Sequence, residues 1–161
     1  MHSSVLTLKD TLVFVHAGFG LLVIIAALWV FVETLHVQAS NEGRIRFAAD
    51  ATAFFCLMAL LFGGYWYLHF YPIEKALILR GKWPFAHQFF METKEHLFFV
   101  TLILSLYLPI AARDAIATNR AARKMLLVVS LLIVLLAISI EGAGAVISYG
   151  AKVALLPKLQ Q

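Results

Sequence analysis

Four predominantly apolar stretches, each as long as the ~20 residues a helix needs to cross a ~30 Å hydrocarbon core, constrain this chain more than any other feature. They run from Thr11 to Leu35, from Phe47 to Tyr71, from Phe89 to Ala112 and from Met125 to Tyr149. A soluble domain could hide one such helix in its core, but not four in 161 residues. With 62% hydrophobic and only 14% charged residues, too little polar surface remains to clothe a soluble fold. The sequence therefore predicts an all-α, integral membrane, antiparallel four-helix bundle in a single domain over residues 1–161. The opening "MHSSVLTLKD" carries one Lys before a long apolar run, so no cleavable signal peptide is predicted.

The connections differ in kind. Those joining the first to the second span and the third to the fourth are short and carry Arg44, Arg46, Arg113, Arg120, Arg123 and Lys124. The middle one, "PIEKALILRGKWPFAHQ", holds Pro72, Gly81 and Pro84 as breakers. Within it "IEKALILR" reads as a short interfacial helix, and Pro84 as the first residue of a third helix that begins above the lipid. Four antiparallel spans place both termini and the middle connection on one side. Lys9, Lys75, Arg80, Lys82, Lys94, Lys152 and Lys158 are spread thinly over that side, so charge density favours the short loops as cytoplasmic. The net charge of +4 forms no Lys/Arg block, which argues against a nucleic-acid partner. Cys56 stands alone, excluding an internal disulfide, a CxxC pair and a CxxCH haem attachment.

The costly residues cluster. In "FAHQFFMETKEHLFF", residues 85–99, His87, Glu92, Lys94, Glu95 and His96 crowd the start of the third span. His16 early in the first span, His69 late in the second and His96 early in the third all fall in the terminus-side half. Glu141, late in the fourth, reaches the same half. Helical spacing stacks Glu92, His96, Phe99 and Ile103 on one face, and Ser130, Val134, Ala137, Glu141, Ala145 and Ser148 on another. The second stripe, small and polar-dotted, is expected to face the bundle interior. An ionised group facing lipid costs at least ~2.5–3.5 kcal/mol, so Glu141 reads as a paired or proton-transferring carboxylate.

Blander readings stand beside these. His69, among Trp66, Tyr67, Phe70 and Tyr71, also suits an aromatic interfacial belt. His87 suits a wetted loop, Lys94 and Glu95 a solvated rim, and Tyr65 and Tyr67 belt or packing positions. Glu33-x-x-His36 has the spacing of a carboxylate-bridged metal unit, but no second unit exists, and a solvated helix end near Arg44 accounts for it.

Two histidines at similar depth on different helices suit axial ligation of a non-covalent haem b, with an apolar slot for the porphyrin. His16 and His96 are the pair favoured by depth, with His69 as an alternative. The glycines of "GFG" and "LLFGGYW" would let a macrocycle approach the backbone. The implied function is electron transfer with quinone or a redox protein, as a membrane oxidoreductase or redox subunit. A second reading is handling of copper, zinc or iron, or proton-coupled transport, through His16, His96, His69, His87 and Glu92. A third is a non-catalytic subunit of a membrane complex, or a homo-oligomer, whose polar groups only lock helices together.

The first-span histidine, the Arg before "RFAADATAFFCLMALLFGGYW" and the polar opening of "KEHLFFVTLILSLYLP" resemble a group of small bacterial membrane proteins. That group includes copper-resistance D-type proteins and the HemJ-type protoporphyrinogen oxidase, and the resemblance covers about residues 12–110. It implies a bacterial inner-membrane location. In the HemJ-type family a first-span histidine and a third-span lysine matter for haem binding. The resemblance places the first on His16 and the second on Lys94 or His96, with His96 fitting the following "LFFVTLIL" better. The family's Trp and Pro signatures around the first two spans are missing, so the site carries over and the reaction does not.

Overall fold

The computed structural model of the chain describes residues 2–155, with side chains from Leu8 onward; Lys158, counted above on the terminus side, lies outside them. Among the described residues there are five α-helices: α1 (His2–Leu35), α2 (Glu42–His69), α3 (Tyr71–Arg80), α4 (Glu92–Ala111) and α5 (Arg120–Leu155). A π-helical turn, Ala86–Met91, runs directly into α4. Four helical segments among the described residues are long and apolar enough to cross a bilayer: Leu8–Leu35, Glu42–His69, Ala86–Ala111 and Arg120–Leu155. The predicted spans fall inside these helices except at Phe70–Tyr71 and Ala112, but the helices project well beyond them. The fold is that of an integral membrane four-helix bundle.

α3 is the short helix expected in the middle connection, with Pro72 in its first turn, where a missing N–H costs nothing. Lys9 pairs with Glu74, tying α1 to α3. Pro84 stands at the start of the next helical run, its carbonyl accepting from the N–H groups of His87 and Gln88, each at 3.1 Å.

Around the bundle, α1 packs on α2 and α5, and α4 packs on the same two. Among the described residues the backbones of α1 and α4 do not approach each other closely, so the two helices lie on a diagonal. In lipid no hydrophobic drive brings helices together, and close packing of small residues does so instead. Ala27, Ala48, Ala49, Ala112 and Ala137 accordingly lie in the main core beside Val30, Leu108, Leu126 and Ile133. The buried hydroxyls of Thr34, Thr52 and Ser130 each return a hydrogen bond to the carbonyl four residues back, at 2.6–2.8 Å, so none of these three is left unpaired.

The short loops are fastened by the same arginines that mark topology. Arg123 donates to the carbonyls of Thr34 and Leu35, closing the C-terminal end of α1. Arg46 does the same for α4 through Ala112 O at 3.2 Å. Glu33 pairs with Arg44 at 3.0 Å and accepts from Asn41 Nδ2 at 2.8 Å, the solvated-end arrangement expected there.

Candidate functional site

A cavity of about 590 Å³ opens in the terminus-side half of the bundle, between the diagonal helices. That volume lies within the ~300–1,000 Å³ usual for small-molecule and cofactor sites. Its walls are mainly apolar, with Val13, Leu60, Phe98 and Ile147 among them. Polar groups enter from all four spans: His16 from α1, Trp66 and Tyr67 from α2, Lys94 and Glu95 from α4, Glu141 from α5. Two lining residues, Leu68 and Phe99, are 71% and 60% exposed, so the cavity has a lipid-facing side between α2 and α4.

His16 is held in a defined orientation. Its Nδ1 lies 2.9 Å from the Ala59 carbonyl, which fixes Nδ1 as the protonated nitrogen and leaves the Nε2 lone pair available. A backbone carbonyl on the second ring nitrogen is the usual support of a ligating imidazole. Gly63 makes the seat: a Cβ there would collide with the His16 ring. Glu141 is seated in the same way, since a Cβ at Gly20 would run into its carboxylate. The glycines of "GFG" and "LLFGGYW" thus receive side chains, although Gly64 does face open space in the cavity wall.

Lys94 lies across the cavity, its Nζ 3.0 Å from where a Cβ on Gly144 would stand. It interacts electrostatically with both His16 and Glu141, yet among the described residues it forms no ion pair within 4 Å. Glu95 adjoins it on the wall with Oε1 buried and without a hydrogen-bond partner, as is Trp66 Nε1. A void of about 20 Å³, room for one water, lies below the main cavity between His16, Cys56, Thr101 and Glu141.

The sequence-based candidates divide. His16 and Glu141 line the cavity. His96 does not: it is exposed, and its Nδ1 bonds back to Glu92 O at 2.6 Å. Glu92, His96, Phe99 and Ile103 do share a face, but all four are exposed on it. His69 is exposed too, stacked on Tyr65 with ring centroids 4.1 Å apart, which fits the belt reading. His87 is 5% exposed rather than wetted and sits 2.9 Å from the Tyr71 hydroxyl, outside the cavity lining. Glu92 stands 3.7 Å from His87 Nε2. Among the described residues no three His, Cys, Asp or Glu side chains converge as a metal site, so the set His16, His69, His87, Glu92 and His96 is not brought together.

Lys94 and Glu95, read as a possible rim, belong to the cavity instead. The available signal was the row Met91, Lys94 or Glu95, Phe98, Thr101, Ser105, whose small members mark the inward side; Thr101 and Ser105 are buried.

The fold and this cavity define an integral membrane bundle with a polar-dotted internal site. Comparison with protein-family models, with curated proteins and with solved structures gave no match, so the reading of the site rests on its own chemistry.

Proposed function

We propose that the protein is a b-type haem protein of the bacterial inner membrane, working in electron transfer with quinone or a redox partner. The observation that carries this reading is His16: an imidazole fixed through Nδ1, with Nε2 free, in an apolar cavity of about 590 Å³. The residues present fit the group. His16 and Lys94 stand on the two diagonal helices and both line the cavity; the neutral His16 imidazole suits iron, and the Lys94 amine would do so once it has given up its proton. The third-span ligand in this reading is therefore Lys94 and not His96.

Bound haem supplies a one-electron couple. The chain's own residues do the rest. Ala59 O holds the His16 tautomer, Gly63 sets its position, and Phe98, Leu60 and Ile147 wall the site with apolar surface, which strengthens the charge interactions beside it. Glu141, against Gly20 and beside the water-sized void, is placed to hold a proton that accompanies the electron.

The test is a dithionite-reduced minus oxidised absorption spectrum of the detergent-purified protein, with iron analysis on the same sample. A sharp alpha band with stoichiometric iron is expected, lost in His16→Ala. A featureless spectrum after haem supplementation during expression would end this reading. Glu141→Gln should keep the spectrum but flatten the pH dependence of the midpoint potential, and an unaltered dependence would reduce Glu141 to packing.

A further inference from the structure

Two features of the cavity have no part in holding a haem between His16 and Lys94. The first is a pair of polar atoms on its wall. Trp66 Nε1, a donor, and Glu95 Oε1, an acceptor, are both buried and have no hydrogen-bond partner among the described residues. Tyr67 interacts with the Glu95 carboxyl and still leaves Oε1 unpaired. A buried polar atom without a partner costs about 1–3 kcal/mol, so a wall that keeps one donor and one acceptor suits a ligand that satisfies both.

The second feature is the opening. Leu68 of α2 and Phe99 of α4 line the cavity from exposed positions. Gly64, one turn before Leu68, lines it too, and a Cβ there would meet nothing within 4 Å. Glu95 lies one turn before Phe99, so it shares the edge of α4 that borders the opening. The helices α1 and α5, which bring His16 and Glu141, pack together on the opposite side. The cavity is thus open to lipid on the side where the two unpaired atoms lie.

We propose that a hydrocarbon-tailed quinol enters this cavity sideways from the bilayer, between Gly64 and Leu68 of α2 and Glu95 and Phe99 of α4, and is held by Trp66 and Glu95. The indole N–H donates to a head-group oxygen, and a head-group O–H donates to Glu95 Oε1. A carboxyl keeps an accepting oxygen in either protonation state, so this contact does not depend on titration. The wall selects the class of head group. Trp66, Tyr67, Phe98 and Phe99 offer aromatic surface to a flat ring, while the carboxyls of Glu95 and Glu141 oppose a phosphate. The reduced form is the one that fits. An oxidised quinone carries carbonyl oxygens only, so it accepts from Trp66 but leaves Glu95 Oε1 facing another acceptor. Any redox use of the quinol rests on the function proposed above; its binding site and entrance do not.

The experiment is an anaerobic calorimetric titration of the detergent-purified protein, produced with and without haem supplementation, using a decyl-tailed benzoquinol and its oxidised quinone. The quinol should bind about tenfold or more tighter than the quinone, a difference of ~1.4 kcal/mol. Glu95→Gln, whose amide can turn a donor toward a carbonyl, should erase that preference. Gly64→Leu should weaken both forms by about tenfold or more by filling the entrance. The space there is open and Leu is a better helix former than Gly, so this variant carries the test if Glu95→Gln does not fold. Equal affinity for the two forms, a preference that survives Glu95→Gln, or unchanged binding in Gly64→Leu would overturn the proposal. A quinol preference in protein that never takes up haem would keep the site and end the haem reading. A haem spectrum without quinol binding would do the reverse.

Discussion

Lys94 and His96 are two residues apart, and that interval decides which of them reaches the cavity. At about 100° per residue they point some 200° apart around α4, so only one can face inward. Lys94 lines the cavity, while His96 is exposed and bonded to its own helix. Lys94→Ala should shift or abolish the haem band, and His96→Ala should leave it unchanged; the reverse pattern in reduced-minus-oxidised spectra would show that α4 presents its other face. A second residue-scale expectation concerns Tyr71. Its folded-state pKa is raised by burial, so its contribution to stability is fully present below the unfolded value of about 10 and is lost as pH rises through the folded one. Thermal melts above pH 10 should therefore fall more steeply in wild type than in Tyr71→Phe. Parallel curves would mean that another group governs alkaline unfolding.

At the scale of elements, the π-helical turn before α4 is what the sequence concealed most completely. Such a turn amounts to one residue inserted into an α-helix, and it commonly sits at functional sites. Here it lays Ala86 against α5, where a Cβ on Gly150 would come within 2.7 Å, and turns His87 onto Tyr71. Deleting the exposed Gln88 would restore α-helical phase and rotate His87 off Tyr71 by ~100° relative to α4. The lost buried hydrogen bond should cost about 1–3 kcal/mol, seen as a lower melting temperature, and an unchanged melt would show the pairing to be dispensable. The helices themselves were plain in the sequence, because length and apolarity suffice to mark them. Their inward faces were not equally plain. In α5 the small-residue stripe pointed the right way, with Ser130, Val134 and Ala137 buried and Glu141 in the cavity wall. In α4 the periodic row through His96 was real but faces outward, since the lipid side of a span is as apolar as its packed side.

For the whole molecule, the even number of spans sets both ends of the bundle on one side with the middle connection. The structure bears this out locally: Lys9 of α1 reaches Glu74 of α3, and a Cβ on Gly81 after α3 would lie 2.8 Å from Ala154 of α5. Charge density near the span ends favours the short, Arg-bearing loops as cytoplasmic. A reporter active only outside the cytoplasm should therefore work when fused after α5 and fail when inserted at Asn119; the opposite result would invert the orientation while leaving the internal geometry intact.

By itself the sequence determined the four spans, their antiparallel order and the gathering of His16 and Glu141 in one half, because hydrogen bonding inside lipid permits few alternatives to a helix. It also marked residues 85–99 as the chemically dense stretch. Only the tertiary structure decided which of those side chains share a cavity. A helical wheel fixes which residues lie on the same face, but the rotation of that face about its axis is set by close packing with neighbours. Gly63 against His16, Gly20 against Glu141 and Gly150 against Ala86 are the contacts that set it here.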